Sequence, residues 1–305
     1  MVLQAPRSAA AAFSNPLLPA PAADPWVIEH GGIWFALQAS ERTLQLRAAA
    51  SLAELGIAEA VTIWRAPQTG PCSCNLWAPE MHRLDGKWFI YVAADDGKNK
   101  NHRMWTLEAG SANPFGAWGV RGMLDTGGWA IDGTVLEEKG RRYFVWSGWP
   151  GRKNEQQNLY ISEMRTPWRL IGPRVALAEP TEPWERVALP LCEGPQILRR
   201  GKRTFVVYSA SGSWTPDYCL GMLINDDGDY LNPGSWTKRG PVFQKTEHVW
   251  GVGHCCFARH PDVGDLIFYH AKTDQAPGRD NRNVRVQPFS WTAEGLPDFG
   301  CPVPV

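Results

Sequence analysis

The sequence predicts an all-β protein, a single domain built as a five-bladed β-propeller, and three observations lead there. A unit of one hairpin and a third strand recurs five times. Each copy begins on a polar residue set among small or apolar neighbours. Helical periodicity is nearly absent, "SLAELGIAEA" at 51–60 being the one short candidate. Repeats of about 50–60 residues, each three or four antiparallel strands, pack radially, because a sheet that small cannot bury its faces alone.

The first copy, "ADPWVIEHGGIWFALQA", sets Asp24 before a strand, a Gly-Gly turn and an aromatic strand. The second, "APEMHRLDGKWFIYVAA", starts on Glu80 and turns at Asp85-Gly86. The third, "IDGTVLEEKGRRYFVWSG", starts on Asp132 and turns at 138–140. The fourth, "EGPQILRRGKRTFVVYSA", starts on Glu193 and turns at Gly201. The fifth, "GHCCFARHPDVGDLIFYHA", has His254 in the anchoring place and a longer loop to Gly264. These anchors are 56, 52, 61 and 61 residues apart. The third strands "TLQLRAA", "HRMWTLEA", "NLYISEM", "YCLGMLIN" and "NVRVQPFSW" alternate polar and apolar residues, as half-buried strands do. Residues 1–14, rich in Ala and Pro, read as a flexible lead, and 15–305 as the propeller.

Composition narrows the function. Lys plus Arg (31) balances Asp plus Glu (31) with no basic block, which argues against a nucleic-acid partner. No apolar run approaches the roughly 18 residues that span a bilayer, so a soluble chain without membrane partners is expected. Seven cysteines without metal-ligand spacing suggest mostly free, buried thiols. "RSAAAAF" from Arg7 is a short, broken echo of a secretory signal. The chain is therefore secreted or periplasmic if that end is processed, and cytoplasmic otherwise. Sixteen Trp residues point to carbohydrate, because indole faces stack on the C–H faces of sugars.

In a propeller the first strand of each blade lines the axis, so the anchors converge on one end of the channel. Four of them are acids: Asp24, Glu80, Asp132 and Glu193. Carboxylates that close raise one another's pKa, and no Lys or Arg stands beside Asp132 or Glu193 to offset this. Hydrolysis of a sugar bond needs two such groups in different environments, one protonated and one ionised. No GxSxG elbow or phosphate-binding loop offers another chemistry.

The phrases "ADPWV", "LWAPEMH", "AIDGT", "EGPQ", "GVGH" and "RVQPFSWTAEGLPDFGCPV" resemble glycoside hydrolase family 43, from about Asn15 to Val303. "AADDGKNKNHRMWTLE", "WAIDGTVLEEKGRRYFVWSGWPGRKNEQQNLYISEM" and "VYSASGSWTPDYCLGML" are similar to its branch of exo-acting α-L-arabinofuranosidases. The resemblance implies an inverting glycosidase that needs no cofactor. It acts on arabinan, arabino-oligosaccharides or arabinoxylan side chains. In it Asp24 is the general base, Glu193 the general acid, and Asp132 the group that orients Glu193 and holds its pKa up. Glu80 receives no catalytic role. His254 matches an axial histidine that in relatives faces calcium or another small ion, and is the candidate metal contact, direct or through water. Trp26, Trp77, Trp214 and His254 are candidate sugar contacts. Arg285 and Gln287 join them by strand alternation, with Arg282 as runner-up to Arg285. Cys192, Cys255 and Cys256 depart from the residues relatives usually carry there. The alternatives are a β-xylosidase or endo-arabinanase of the same family, or a propeller that binds sugar without cutting it. The absence of a β-sandwich domain after the propeller favours the arabinofuranosidase.

Overall fold

A computed structural model describes residues 12–305, so the expected lead at 1–14 falls almost wholly outside the described residues. Five antiparallel sheets follow one another along the chain, in sequence order within each blade. Blade 1 holds β1 (Trp26–His30), β2 (Ile33–Ser40), β3 (Thr43–Ala49) and β4 (Val61–Arg65). Blade 2 holds β5 (Cys74–Leu84), β6 (Lys87–Asp95), β7 (Arg103–Ala109) and β8 (Trp118–Met123). Blade 3 holds β9 (Ala130–Glu138), β10 (Arg141–Gly148), β11 (Asn158–Thr166) and β12 (Arg169–Ala178). Blade 4 holds β13 (Cys192–Arg200), β14 (Arg203–Ala210), β15 (Cys219–Asn225) and β16 (Trp236–Phe243). Blade 5 holds β17 (Trp250–His260), β18 (Gly264–Lys272) and β19 (Arg282–Pro288). The expected helix at 51–60 shrinks to one turn, Leu52–Leu55, capped by Ser51. No helix among the described residues is long and apolar enough to cross a membrane. All seven cysteines are free.

The second strand of each blade is buried on both faces, so it reads as a continuous apolar run. Such runs are "WFIYVAA" in β6, "YFVWS" in β10 and "FVVYSA" in β14. Alternate residues of each run pack on opposite neighbours. Phe89 and Tyr91 meet Phe144 and Trp146 across one joint, while Val145 and Ile161 meet Val206 and Tyr208 across the next. The ring closes where Leu18 pairs with Val284 of β19, through N–H to C=O bonds of 3.2 and 3.0 Å. Asn15 clamps both backbone groups of Val286, and the Ala22 N–H bonds to the Arg282 carbonyl. The N-terminal segment thus stands in the fourth-strand place that blade 5 leaves open.

Gly133 is a close approach that the packing requires. A Cβ there would lie 2.1 Å from the Phe144 ring. Gly133→Ala is expected to cost about 1–3 kcal/mol by overpacking, read as a lower denaturant midpoint at unchanged slope. An unchanged midpoint would show that the joint between blades 2 and 3 is looser than described.

Candidate active site

The innermost strands are interrupted where they enter the channel. Asp24, Ala78, Asp132, Gly194 and His254, one per blade, all have left-handed backbone, with φ of 50°, 40°, 55°, 54° and 47°. Register shifts accompany four of them, between Trp77 and Glu80, opposite Val145/Ser147, between Glu193 and Gln196, and between Gly253 and Cys256. A bulge of this kind takes a residue out of the ladder and re-aims its side chain. That is the local reason an acid can stand at the head of a buried strand.

This ring corrects the place of Glu80. The blade 2 residue equivalent to Asp24 and Asp132 is Ala78, and Glu80 lies two residues further along β5. There its carboxylate accepts from Gln196 and faces His82 Nε2 at 2.8 Å, outside the pocket.

Asp24, Asp132, Glu193 and His254 line one pocket of about 160 Å3. A void of ~150 Å3 holds one benzene-sized ring, so the space suits a single sugar. Trp77, Trp129 and Trp214 form apolar walls. Trp77 is fixed by stacking on His102 at 4.0 Å, and Trp129 by stacking on Trp149 at 4.6 Å. The Arg279 guanidinium spans the rim, 5.2 Å from the Trp214 ring and 6.0 Å from Trp77, close enough for cation–π attraction.

Three of the expected sugar contacts are elsewhere. Trp26 is buried between blades 1 and 2, donating to the Met81 carbonyl with the His82 ring 4.6 Å away and tilted by 41°. Arg285 bonds Asn283 and the Val303 carbonyl, and Gln287 bonds the carbonyls of Phe299 and Cys301. Both side chains fasten the C-terminal tail. Arg282, at the start of β19, enters the pocket in place of Arg285, 3.2 Å from Asp24 Oδ1. Sequence reasoning missed Arg279, Asn99, Trp129 and Gln157, which come from loops or loop edges where periodicity carries no signal.

The carboxyl groups differ in environment. Burial opposes ionisation of Asp24, but His254 at 3.4 Å, Arg282 and His270 at 3.1 Å outweigh it. Its carboxyl is held well below the usual carboxylate range. Glu193 is pushed up to about 7, by burial first and then by the Asp24 charge. The Tyr218 hydroxyl, donating at 2.8 Å, and the Arg279 and Arg282 charges oppose that rise. Asp132 is also raised well above its ordinary value, by burial and then by the Glu193 charge. Its Oδ2 accepts from the Gly194 N–H at 3.1 Å, so it holds the backbone beside Glu193. Asp132 and Glu193 are thus both raised carboxyls, each opposing ionisation of the other. Two raised acids and one ionised carboxylate around one small pocket can donate a proton and activate a water in the same event.

His254 stands beside two carboxylates. Its Nδ1 faces Asp24 at 3.4 Å and Asp132 at 4.0 Å. Among the described residues no group of three or more His, Cys, Asp or Glu side chains is arranged to hold a metal.

Comparison with known proteins places this geometry among relatives. The family model for glycosyl hydrolases family 43 matches residues 13–297. An α-L-arabinofuranosidase of Humicola insolens is 36% identical over 92% of the chain, which spans 62% of that protein's length. An extracellular exo-α-(1→5)-L-arabinofuranosidase of Streptomyces chartreusis is 37% identical over 88% of the chain and 84% of its own length. The crystal structure of an α-L-arabinofuranosidase from Lactobacillus brevis superposes with a TM-score of 0.90 at 34% identity, covering 96% of this chain and 97% of that one.

Proposed function

The chain belongs to glycosyl hydrolase family 43, and from that premise we propose that it releases single terminal α-L-arabinofuranose units from arabinan or arabino-oligosaccharides, with inversion at the anomeric carbon. The observation that carries this reading is the pocket itself: room for about one sugar ring, with Asp24 held ionised and Glu193 raised to about 7. Asp24 takes a proton from a water, whose oxygen attacks the anomeric carbon as the bond to the leaving oxygen breaks. Glu193 gives its proton to that oxygen. Asp132, bonded to the Gly194 N–H, orients the strand that carries Glu193. Trp77 and Trp214 offer apolar faces to the sugar, and Arg279 closes the rim between them. Action outside the cell is part of the proposal, since the Streptomyces relative is named extracellular.

Product analysis on α-1,5-arabino-oligosaccharides, branched arabinan and arabinoxylan tests the reading. Free arabinose as the first product is expected, with the β-anomer appearing first by proton NMR. Mainly di- and trisaccharides from linear arabinan would overturn exo action, and a first-formed α-anomer would overturn inversion. The pH dependence follows from the same groups. Glu193 must be protonated, and its raised pKa keeps the acid form present up to about 7, so kcat/KM falls as pH rises through that value. Asp24 must be ionised, and its lowered pKa extends the plateau into mildly acidic solution. A profile that rises through pH 7 would contradict these assignments.

A further inference from the structure

The ring of left-handed residues has a small member in blade 2. Blades 1, 3 and 5 carry Asp24, Asp132 and His254 in that place, whereas blade 2 carries Ala78. At Gly194 of blade 4 the His254 ring takes the space, since a Cβ there would lie 3.0 Å from its Nδ1. Beside Ala78 the space stays open, as a second cavity of about 330 Å3. Asp24, Trp77, Arg279 and Arg282 line both cavities and so form the partition between them. Glu193, Asp132 and His254 line only the first. The second is walled otherwise by polar side chains, Gln38, Ser40, Glu41, Asn75 and Asp280 among them. Ser40, Glu41 and Asp280 are exposed, so this cavity opens to solvent. The Asp24 side chain keeps 27% of its surface exposed, against 6% for Asp132.

Two arguments decide what the second cavity takes. The first is the line of displacement. In an inverting reaction the attacking water stands on the opposite face of the sugar from the leaving oxygen. That oxygen points toward Glu193, so the water stands on the side of Asp24, where the second cavity begins. The other argument is the chemistry of the walls. Sugar rings favour stacked indoles, and the first pocket offers Trp77, Trp129 and Trp214. The second has only Trp77, one face of which is already covered by His102. A polar cavity holds water instead, and one water needs only roughly 10–15 Å3.

We propose that the cavity beside Ala78 is the water store of the reaction, keeping a water against Asp24 while a sugar fills the first pocket and the leaving chain closes its mouth. The proposal rests on the roles given above to Asp24 and Glu193. Each bond cleaved consumes one water. Its oxygen joins the anomeric carbon, one of its protons passes to Asp24, and the other stays on the new hydroxyl. The Glu193 proton leaves with the freed chain. Because the store opens to solvent on its own side of the partition, it refills without water passing the bound sugar. A complex without this water cannot react, so filling the store lowers the reactive fraction of complexes and hence kcat.

The test fills the cavity from each end. Ala78→Asn fills it from within, with a residue type that tolerates the left-handed φ of 40°. Ser40→Trp plugs it from an exposed position at the end of β2. In each folded variant kcat should fall about tenfold on an arabino-disaccharide and on a dinitrophenyl arabinofuranoside alike, because both need the same positioned water. KM and the inhibition constant of free arabinose should keep their wild-type values, because the first pocket is intact. If circular dichroism shows that Ala78→Asn does not fold, Ser40→Trp alone decides. Wild-type kcat in the folded variants would overturn the proposal. A raised KM on oligosaccharides, with the dinitrophenyl substrate spared, would make the cavity a sugar subsite and overturn it as well. A crystal structure of the unmodified protein with arabinose gives a readout independent of turnover: ordered waters should run from Asp24 into the second cavity. Sugar density in that cavity would overturn the proposal, whereas no arabinose release by the unmodified protein would overturn the proposed function and leave the crystallographic result standing.

Discussion

Glu193→Ala is expected to lower kcat/KM on α-1,5-arabino-oligosaccharides by about 10²–10⁴-fold while sparing hydrolysis of an arabinofuranoside with a dinitrophenyl leaving group. A sugar oxygen leaves poorly as an alkoxide and needs the proton assigned to Glu193 in the proposed mechanism. A dinitrophenolate is stable as an anion and needs none. The site is arranged to keep that proton available: burial and the Asp24 charge raise Glu193 to about 7, and the Gly194 N–H bond to Asp132 fixes its strand. The variant should also lose the alkaline fall in rate on the activated substrate, since the group that titrates there is gone. Equal losses on the two substrates would mean that Glu193 does something other than protonate the leaving group.

Asp24→Asn should behave differently, with a loss of about 10²–10⁴-fold on both substrates. The attacking water must lose its proton whatever the leaving group, so a better one offers no rescue. Asparagine keeps the size of the side chain and an acceptor for Arg282 and His270, which lie 3.2 and 3.1 Å from Oδ1, so the fold should survive. It cannot take a proton from water. Circular dichroism and the melting curve check the first point, and paired kinetics on the two substrates check the second. Recovery on the activated substrate would move the general base away from Asp24.

The blades were legible in the sequence because their hairpins are local. Turns at Gly32, Gly86, Gly140, Gly201 and Gly264 all have the left-handed φ that glycine tolerates, and each stands between two apolar runs. The fourth strands, such as "WTKRGPVF" of β16, were not separable, since their partly exposed residues lack the alternation of a half-buried strand. Within the site, motif context marked Asp24, Asp132, Glu193 and His254, and the structure brings them to one pocket. Side-chain contacts fared worse for a physical reason. Alternation tells which face of a strand a residue occupies, but not how far along the channel it lies. Arg285 and Gln287 do share a face, and that face binds the tail at 299–303. Trp26 and Trp77 follow similar local patterns, yet one fills a joint between blades and the other faces the pocket. Glu80 was placed two residues out of step because an acid is conspicuous in sequence, whereas the left-handed Ala78 is not.

The joint between the N-terminal segment and β19 has a bearing on how this protein fails under stress. The segment that pairs Leu18 with Val284 and Ala22 with Arg282 runs directly into Asp24, and the partners of Asp24 in blade 5 are Arg282 and His270. The carboxylate proposed to activate water therefore sits at the joint where the N-terminal segment meets β19. If that latch parts, Asp24 separates from the groups that keep it charged while four blades remain continuous in sequence and packing. Catalysis then acts as an integrity gauge for the closed ring, fading at a lower denaturant concentration than the bulk strand signal. A cross-link that bound the segment to β19 would bring the two losses back together.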